Sequence, residues 1–313
     1  MINHYRRRWI RNNLATAAAA GIGCALPACN LLASTSAASS STLLTRNIPG
    51  TDVSIPVVGM GTWITFDVPD QPYLRSQRAE VLQRFVELGG GMIDSSPMYG
   101  YAEEVLGESI AALDTPETLF NASKIWTPFA AQTKVQMRDT EERWGVKPMD
   151  LMYVHNLLNW DGHLPNLRQW KNDGRIRYIG LSTSHGRRHG ELENLMNNED
   201  IDFIQLTLNI EDTEAEERLI PLAQDKGIAV VVNRPFQRGG LFSKYADRPL
   251  PGIAKELGCQ NWAQYFLMYV VSHPGVTCAI PATSQVTHMQ ENMDTLKLPL
   301  PDPKTRDLMR QAL

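Results

Sequence analysis

From residue 57 onward, short apolar runs alternate with segments whose apolar residues recur at helical spacing. The runs lie at 57–61, 91–94, 120–124, 151–155, 178–182, 203–207, 229–233 and 277–281. Near-continuous apolar runs of this length predict strands buried on both faces, as in a parallel sheet. The third run, Phe120-Asn121-Ala122-Ser123-Lys124, is the most polar. Between the runs, Val81, Leu82, Phe85 and Val86 form one stripe over 79–88. Val105, Leu106, Ser109, Ile110 and Leu113 form another over 103–113. Segments 191–196 and 216–223 behave likewise, and Gly227 stands where a helix C-cap is expected. Eight strands alternating with helices predict an α/β chain folded as a (β/α)8 TIM barrel. An open doubly wound sheet is the alternative, but no G-x-G-x-x-G follows an early strand to favour it.

The first 42 residues do not share this pattern. Arg6, Arg7, Arg8 and Arg11 stand in an opening stretch without acids, residues 14–32 carry no charge, and 33–42 are small and mostly polar. This order predicts an export signal and linker at 1–42, with the barrel at 43–313. A retained membrane anchor is the alternative, weakened by Pro27, Asn30 and the Ala/Gly content. Arg6-Arg7-Arg8-Trp9-Ile10 resembles a twin-arginine signal, which implies an exported or periplasmic protein. Leu26-Pro27-Ala28-Cys29 loosely resembles a lipoprotein cleavage box, so membrane contact is expected only through a lipid on Cys29.

Composition narrows the classes further. The 313 residues include 30 Lys+Arg against 34 Asp+Glu, a net charge of -4, with 43% hydrophobic and 20% charged residues. That balance excludes wholesale disorder and a polytopic membrane chain, and it argues against nucleic acid as the main partner. Four cysteines are too few for a disulfide scaffold, and Cys259 and Cys278 are expected to be buried, inert thiols.

Asp94, Lys124 and His155 each end a different predicted strand, and Tyr99 follows Asp94 in the loop Ser95-Ser96-Pro97-Met98-Tyr99-Gly100. In a parallel barrel those strand ends share the face where active sites are built. A neighbouring ammonium is expected to lower a phenol's pKa and make it a better acid. A carboxylate would hold the ammonium, and a neutral imidazole would orient a substrate oxygen. Each residue alone also has an ordinary reading: a helix cap, loop packing, a solvated charge, a satisfied core histidine. Their convergence on one rim favours chemistry.

The segment 90–100, followed by Glu103-Glu104-Val105-Leu106-Gly107, resembles the signature of aldo-keto reductases. The resemblance continues through Val58-Gly59-Met60-Gly61-Thr62-Trp63, Ser123-Lys124, Val154-His155-Asn156, residues 174–182, Gln205 with Asn209, and Glu291-Asn292. It implies an NAD(P)H-dependent carbonyl reductase with the tetrad Asp94, Tyr99, Lys124 and His155. Tyr99 would donate a proton, Lys124 would tune it, Asp94 would hold Lys124, and His155 would orient the carbonyl. The resemblance also implies a cofactor lying against Gly61, Thr62, Trp63 and Asp94. Ser182, Thr183 and Gln205 would meet the nicotinamide end, and Asn233, Arg234, Pro235 and Phe236 would follow the seventh strand. Thr283, Ser284, His288, Glu291 and Asn292 would follow the eighth. No metal site is expected.

The chain departs from that pattern in places. Thr183 replaces a frequent Asn, Asn233 replaces a stacking aromatic, and the Lys and Arg that often meet a 2′-phosphate after strand eight are absent. Arg234 or Arg238 would restore charge. NADP(H) is favoured, with NAD(H) the alternative. Trp63, Trp126 and Trp160 are candidate walls for an apolar carbonyl substrate. An exported enzyme would carry its nucleotide with it and need a second substrate or a redox partner for recycling. The competing class is a nucleotide-holding sensor or scaffold with negligible turnover; a phosphate-binding lyase, with Gly239-Gly240 as cradle, is weaker.

Overall fold

A computed structural model describes residues 43–114 and 116–313. The expected export signal and Cys29 lie outside the described residues.

Eight parallel strands form the centre: β3 (Met60–Gly61), β4 (Met92–Asp94), β5 (Phe120–Ile125), β6 (Met149–Val154), β7 (Ile176–Ser182), β8 (Phe203–Thr207), β9 (Ala229–Asn233) and β10 (Cys278–Ala279). They pair in chain order. Parallel bridges Val58↔Ala279 and Gly61↔Ala282 join the last strand to the first and close the barrel. A short antiparallel hairpin, β1 (Thr45–Asn47) and β2 (Ser54–Pro56), precedes it. The sequence pattern did not reveal this hairpin, because three-residue strands carry no readable period. Its Ile48 and Ile55 join Phe120, Tyr178 and Phe203 inside the barrel, so it plugs the end at which the strands begin.

Helices α1 (Pro72–Glu87), α2 (Ala102–Ala111), α3 (Thr133–Trp144), α4 (Trp160–Asn172), α5 (His189–Asn198) and α6 (Leu219–Lys226) alternate with the strands. Four more, α7 (Gly240–Tyr245), α8 (Gly252–Glu256), α9 (Trp262–Val271) and α10 (Val286–Asp294), flank β10, and α11 (Pro303–Gln311) ends the chain. Helix α1 begins well before its apolar stripe, since Pro72 suits a first helical turn and the added turns are mostly polar, with Leu74 packed against the core. Helix α6 begins later than expected, at Leu219, because Arg218 leaves helical geometry at φ -139. Gly227 caps it at φ 67, as predicted.

The polar third run is a strand because every second residue serves a different surface. Phe120, Ala122 and Lys124 point along the barrel axis, whereas Asn121, Ser123 and Ile125 face the helices. Ser123 Oγ donates to Glu103 Oε1 at 2.6 Å, and the Asn121 N–H donates to Asp150 Oδ2 at 2.8 Å. Glu103 of α2 is buried, and it also accepts from Thr140 Oγ1 and Trp144 Nε1 of α3. One carboxylate therefore ties two helices to β5.

The interior grades from apolar to polar along the strands. Phe120, Leu151, Tyr178, Phe203 and Ala229 fill the starting end. Asp94, Lys124, Ser182 and Gln205 occupy inward positions near the other. The site's location follows from this gradient.

Helices α2 and α3 approach closely at Gly107, where a Cβ would overlap the Arg143 carbonyl. Gly107→Ala is expected to cost about 1–3 kcal/mol through overpacking. Gly190→Ala in α5, where a Cβ meets nothing within 4 Å, should be neutral or stabilising by about 0.5–1 kcal/mol. Urea unfolding of both variants checks the contrast.

Candidate active site

Strands β4, β5 and β6 are neighbours, and their register brings Asp94, Lys124 and His155 to one rim. Gly100, at φ 60, bends the loop after β4 back toward the barrel, and a Cβ there would collide with Asp67. Asp67 Oδ1 also accepts from the Tyr101 N–H at 3.0 Å. These contacts hold Tyr99 over the rim.

The sequence-predicted tetrad comes together. Lys124 is fully buried, and its Nζ forms an ion pair with Asp94 Oδ1 and donates to the Ser95 carbonyl at 2.8 Å. The other Asp94 oxygen accepts from Gln205 Nε2 at 2.8 Å. The Lys124 Nζ lies 5.3 Å from the Tyr99 ring centroid. The Tyr99 and His155 rings meet edge to face at 5.7 Å.

Ser96 orients the imidazole, which the sequence did not suggest. Its Oγ lies 2.9 Å from His155 Nδ1 and accepts from the Met98 N–H at 3.2 Å. The Ser96 hydroxyl proton is thus free for Nδ1. On this network, the proton of neutral His155 is assigned to Nε2.

Burial dominates the titration of every member. It pushes Asp94 up and Lys124 down, each opposed by the other's charge. Burial, then the Lys124 charge, holds His155 well below its ordinary value, so the imidazole is neutral. Burial, then the Asp94 carboxylate, raises Tyr99 well above its ordinary value. This corrects the expectation of a phenol lowered by its ammonium: desolvation decides the direction, and the Asp94 carboxylate adds to it.

A cavity of about 360 Å³ opens over the tetrad. Gly61 and Trp63 border it from the first barrel strand, Asp94, Tyr99 and His155 from the tetrad, and Ser182, Thr183 and Gln205 from β7 and β8. Asn233, Arg234, Pro235 and Phe236 line it after β9. Thr62 lies beneath, donating to the Asp94 carbonyl at 3.0 Å, and Lys124 lies behind Asp94. Thr283, Ser284, His288, Glu291 and Asn292 are not among the lining residues. Thr283 Oγ1 accepts from the Gln285 N–H at the start of α10, His288 is exposed and Asn292 is buried.

Asn233 ties strand ends together rather than presenting a face. It accepts from Thr207 Oγ1 at 2.8 Å and donates to the Thr183 carbonyl at 2.9 Å. Asn209 accepts from the Glu211 and Asp212 N–H groups and from Gln237 Nε2, which makes it a loop clamp. Of the three candidate tryptophans, Trp63 alone borders the cavity. Trp126 is 42% exposed, with its backbone held by Gln136, and Trp160 packs against the outer core.

The remaining walls were not foreseen: Ile64, Met98, Asn156 and His185 come from loops and turns, and Phe242 from the short helix α7, none with a readable period. The Arg238 guanidinium lies 4.3 Å from the Trp63 ring centroid. Among the described residues, Arg187, Arg234 and Arg238 have no carboxylate within salt-bridge distance. Two buried polar atoms on the cavity wall, Thr183 Oγ1 and Arg234 Nε, lack hydrogen-bond partners. Cys259 and Cys278 are free and buried, their thiols pushed up by desolvation and so unreactive.

The sequence model of the aldo/keto reductase family matches residues 57–310. The chain belongs to this family. It is an aldo-keto reductase-like oxidoreductase. It is 28% identical over 258 residues to the methylglyoxal reductase YeaE of Escherichia coli K12, covering 80% of this chain and 88% of that protein. A thermostable aldo-keto reductase solved with the inhibitor epalrestat superposes with a TM-score of 0.74 at 27% identity, over 87% of this chain and 100% of that one. An aldo/keto reductase from Klebsiella pneumoniae, solved with NADP and acetate, gives a TM-score of 0.73 at 21% identity, over 84% and 93%.

Burying a neutral histidine links stability to pH. Below the ordinary pKa of 6.5 the unfolded chain takes up a proton that folded His155 does not. Stability is therefore expected to fall as pH drops through 6.5, by up to about 1.4 kcal/mol per unit for this group. His185 and His273, also lowered, add in the same direction. In urea titrations between pH 7.5 and 5.5, His155→Gln should show a shallower loss than the wild type; an unchanged slope would assign the dependence elsewhere.

Proposed function

We propose that this chain reduces an aldehyde or ketone to an alcohol with NADP(H), and that Tyr99 supplies the proton. The observation that carries the reading is the tetrad at the floor of a cavity, with Asp94, Lys124 and His155 buried and Tyr99 partly so. Its phenol and neutral imidazole border the point where a carbonyl oxygen would sit, with the paired ammonium behind them.

The reduced nicotinamide, when bound, supplies the hydride. The protein's part is positional and electrostatic. His155 Nε2–H faces the reaction point as a neutral donor and orients the carbonyl. Tyr99, its pKa raised, keeps its proton at neutral pH and releases it to the oxygen as negative charge develops there. Lys124 is the nearby cation that stabilises the resulting phenolate, and Asp94 with Gln205 keeps that cation in register.

The nucleotide fits the residues present. Thr183 Oγ1 and Arg234 Nε are buried polar atoms awaiting partners. Arg234 and Arg238, which have no ion-pair partner among the described residues, would supply positive charge to the phosphates in place of the cations missing after β10. Ser182 and Gln205 would meet the carboxamide end. The Klebsiella pneumoniae aldo/keto reductase was solved with NADP, which supports this choice over NAD(H).

Fluorescence titration should show NADPH binding more tightly than NADH, and Arg238→Ala should weaken NADPH binding about tenfold. Single-turnover oxidation of bound NADPH by a panel of small aldehydes should follow. Tyr99→Phe should slow it by at least about 100-fold while leaving nucleotide affinity near that of the wild type. Tight NADPH binding with no turnover on any carbonyl would instead support the nucleotide-holding sensor or scaffold.

A further inference from the structure

Tyr153 sits directly beneath the tetrad and has no part in the chemistry above. It belongs to β6, is fully buried, and points into the barrel. In the register it lies between Lys124 of β5 and Gly180 of β7, so these three positions share one inward row. Gly180 leaves the space the ring occupies, for a Cβ there would overlap the Tyr153 ring edge.

The Lys124 ammonium lies 5.7 Å from the Tyr153 centroid and 5.3 Å from the Tyr99 centroid. It is flanked by two aromatic rings. Its hydrogen bonds go to Asp94 and the Ser95 carbonyl, which leaves one of its three protons without an oxygen acceptor. A desolvated ammonium beside a ring face is stabilised by the ring quadrupole. The Tyr153 hydroxyl, by contrast, is buried beside Gln205 and Asp94 without a hydrogen bond of good geometry. What lies within cation–π range of the ammonium is the ring.

We propose that Tyr153 is a positioning residue: its ring face keeps the Lys124 ammonium charged and seated against Tyr99. This rests on the carbonyl-reductase reading for its consequence in turnover, but the contact itself can be tested without turnover. The titratable groups facing Lys124 are Asp94 from β4, Tyr99 from the following loop, Glu103 from α2, and Tyr153 and His155 from β6 and its end.

The test is a shape-conserving series at position 153 in the full chain: Tyr153→Phe, then phenylalanines carrying progressively more ring fluorines, which drain the quadrupole while preserving volume. The first readout is NMR titration of isotope-labelled lysine in the chain without added nucleotide, the Lys124 signal being assigned by its loss in Lys124→Met. The second is the pH profile of kcat with NADPH and an aldehyde. Tyr153→Phe should keep kcat within about twofold of the wild type and leave the Lys124 midpoint in place. The most fluorinated ring should lower that midpoint by about one pH unit and move the alkaline limb of the kcat profile down by the same amount. A flat series at both readouts, with all variants folded by circular dichroism, would overturn the proposal. So would a Tyr153→Phe defect as large as that of the fluorinated ring, which would place the effect in the hydroxyl. Absence of turnover in the wild type would refute the reductase reading and leave the NMR series to decide this one.

Discussion

The buried ion pair of Lys124 and Asp94 is the constraint around which the rest of the site is arranged. Two charges removed from water carry a desolvation cost of several kcal/mol each. Such a pair persists only when its remaining hydrogen-bonding capacity is met. Here Gln205 serves the second Asp94 oxygen and the Ser95 carbonyl serves the ammonium. Removing one partner strands the other, a loss of about 3–5 kcal/mol. The pair therefore links β4, β5 and β8 across the open end of the barrel, and any shift among those strands is felt at the phenol.

That arrangement explains why the site sits at one end. The plugged end is filled by Phe120, Tyr178 and Phe203, whose rings pack within 6.0 Å of one another. Together with the hairpin's Ile48 and Ile55, they give a dry, rigid floor. Polar inward residues are confined to the other end, where loops and a cavity can meet them. A charge pair near the middle would face only apolar neighbours, with no Gln205 or loop carbonyl to satisfy it.

Much of this was legible in the chain. All eight barrel strands coincide with apolar runs, because a strand covered on both faces must be apolar almost throughout. Three of the tetrad, Asp94, Lys124 and His155, were legible because they end such runs, where a parallel barrel gives a fixed address, and Tyr99 because it stands in the loop that follows Asp94. Thr283, Ser284, His288, Glu291 and Asn292 were named by resemblance alone, and they stand apart from the cavity lining. Helix ends and walls were less legible for physical reasons. Pro72 starts α1 where no apolar residue marks it, and Arg218 ends a predicted helical register through a single backbone angle. Ile64, Met98 and His185 stand in loops and Phe242 in the six-residue α7, whose courses depend on contacts distant in sequence. Ser96 and Tyr153 were hidden differently: both lie in quoted segments, yet their roles appear only when β4, β6 and β7 are brought side by side.

The position of Tyr99 on the pH scale follows from the same ion pair. An isolated ammonium near a phenol would favour phenolate and leave the group partly deprotonated before any substrate arrived. Pairing with Asp94 cancels that pull at rest, and burial then holds the proton on the oxygen. Cancellation of this kind depends on distance, however, and a charge forming at the phenol oxygen interacts with cation and carboxylate unequally. With the ammonium 5.3 Å from the ring, and both carboxylate oxygens already engaged by Lys124 and Gln205, the cation can favour the ionised form as the proton departs. A phenol that is reluctant to ionise at rest and assisted as it reacts is a better proton donor in this barrel than one already poised to lose its proton to water.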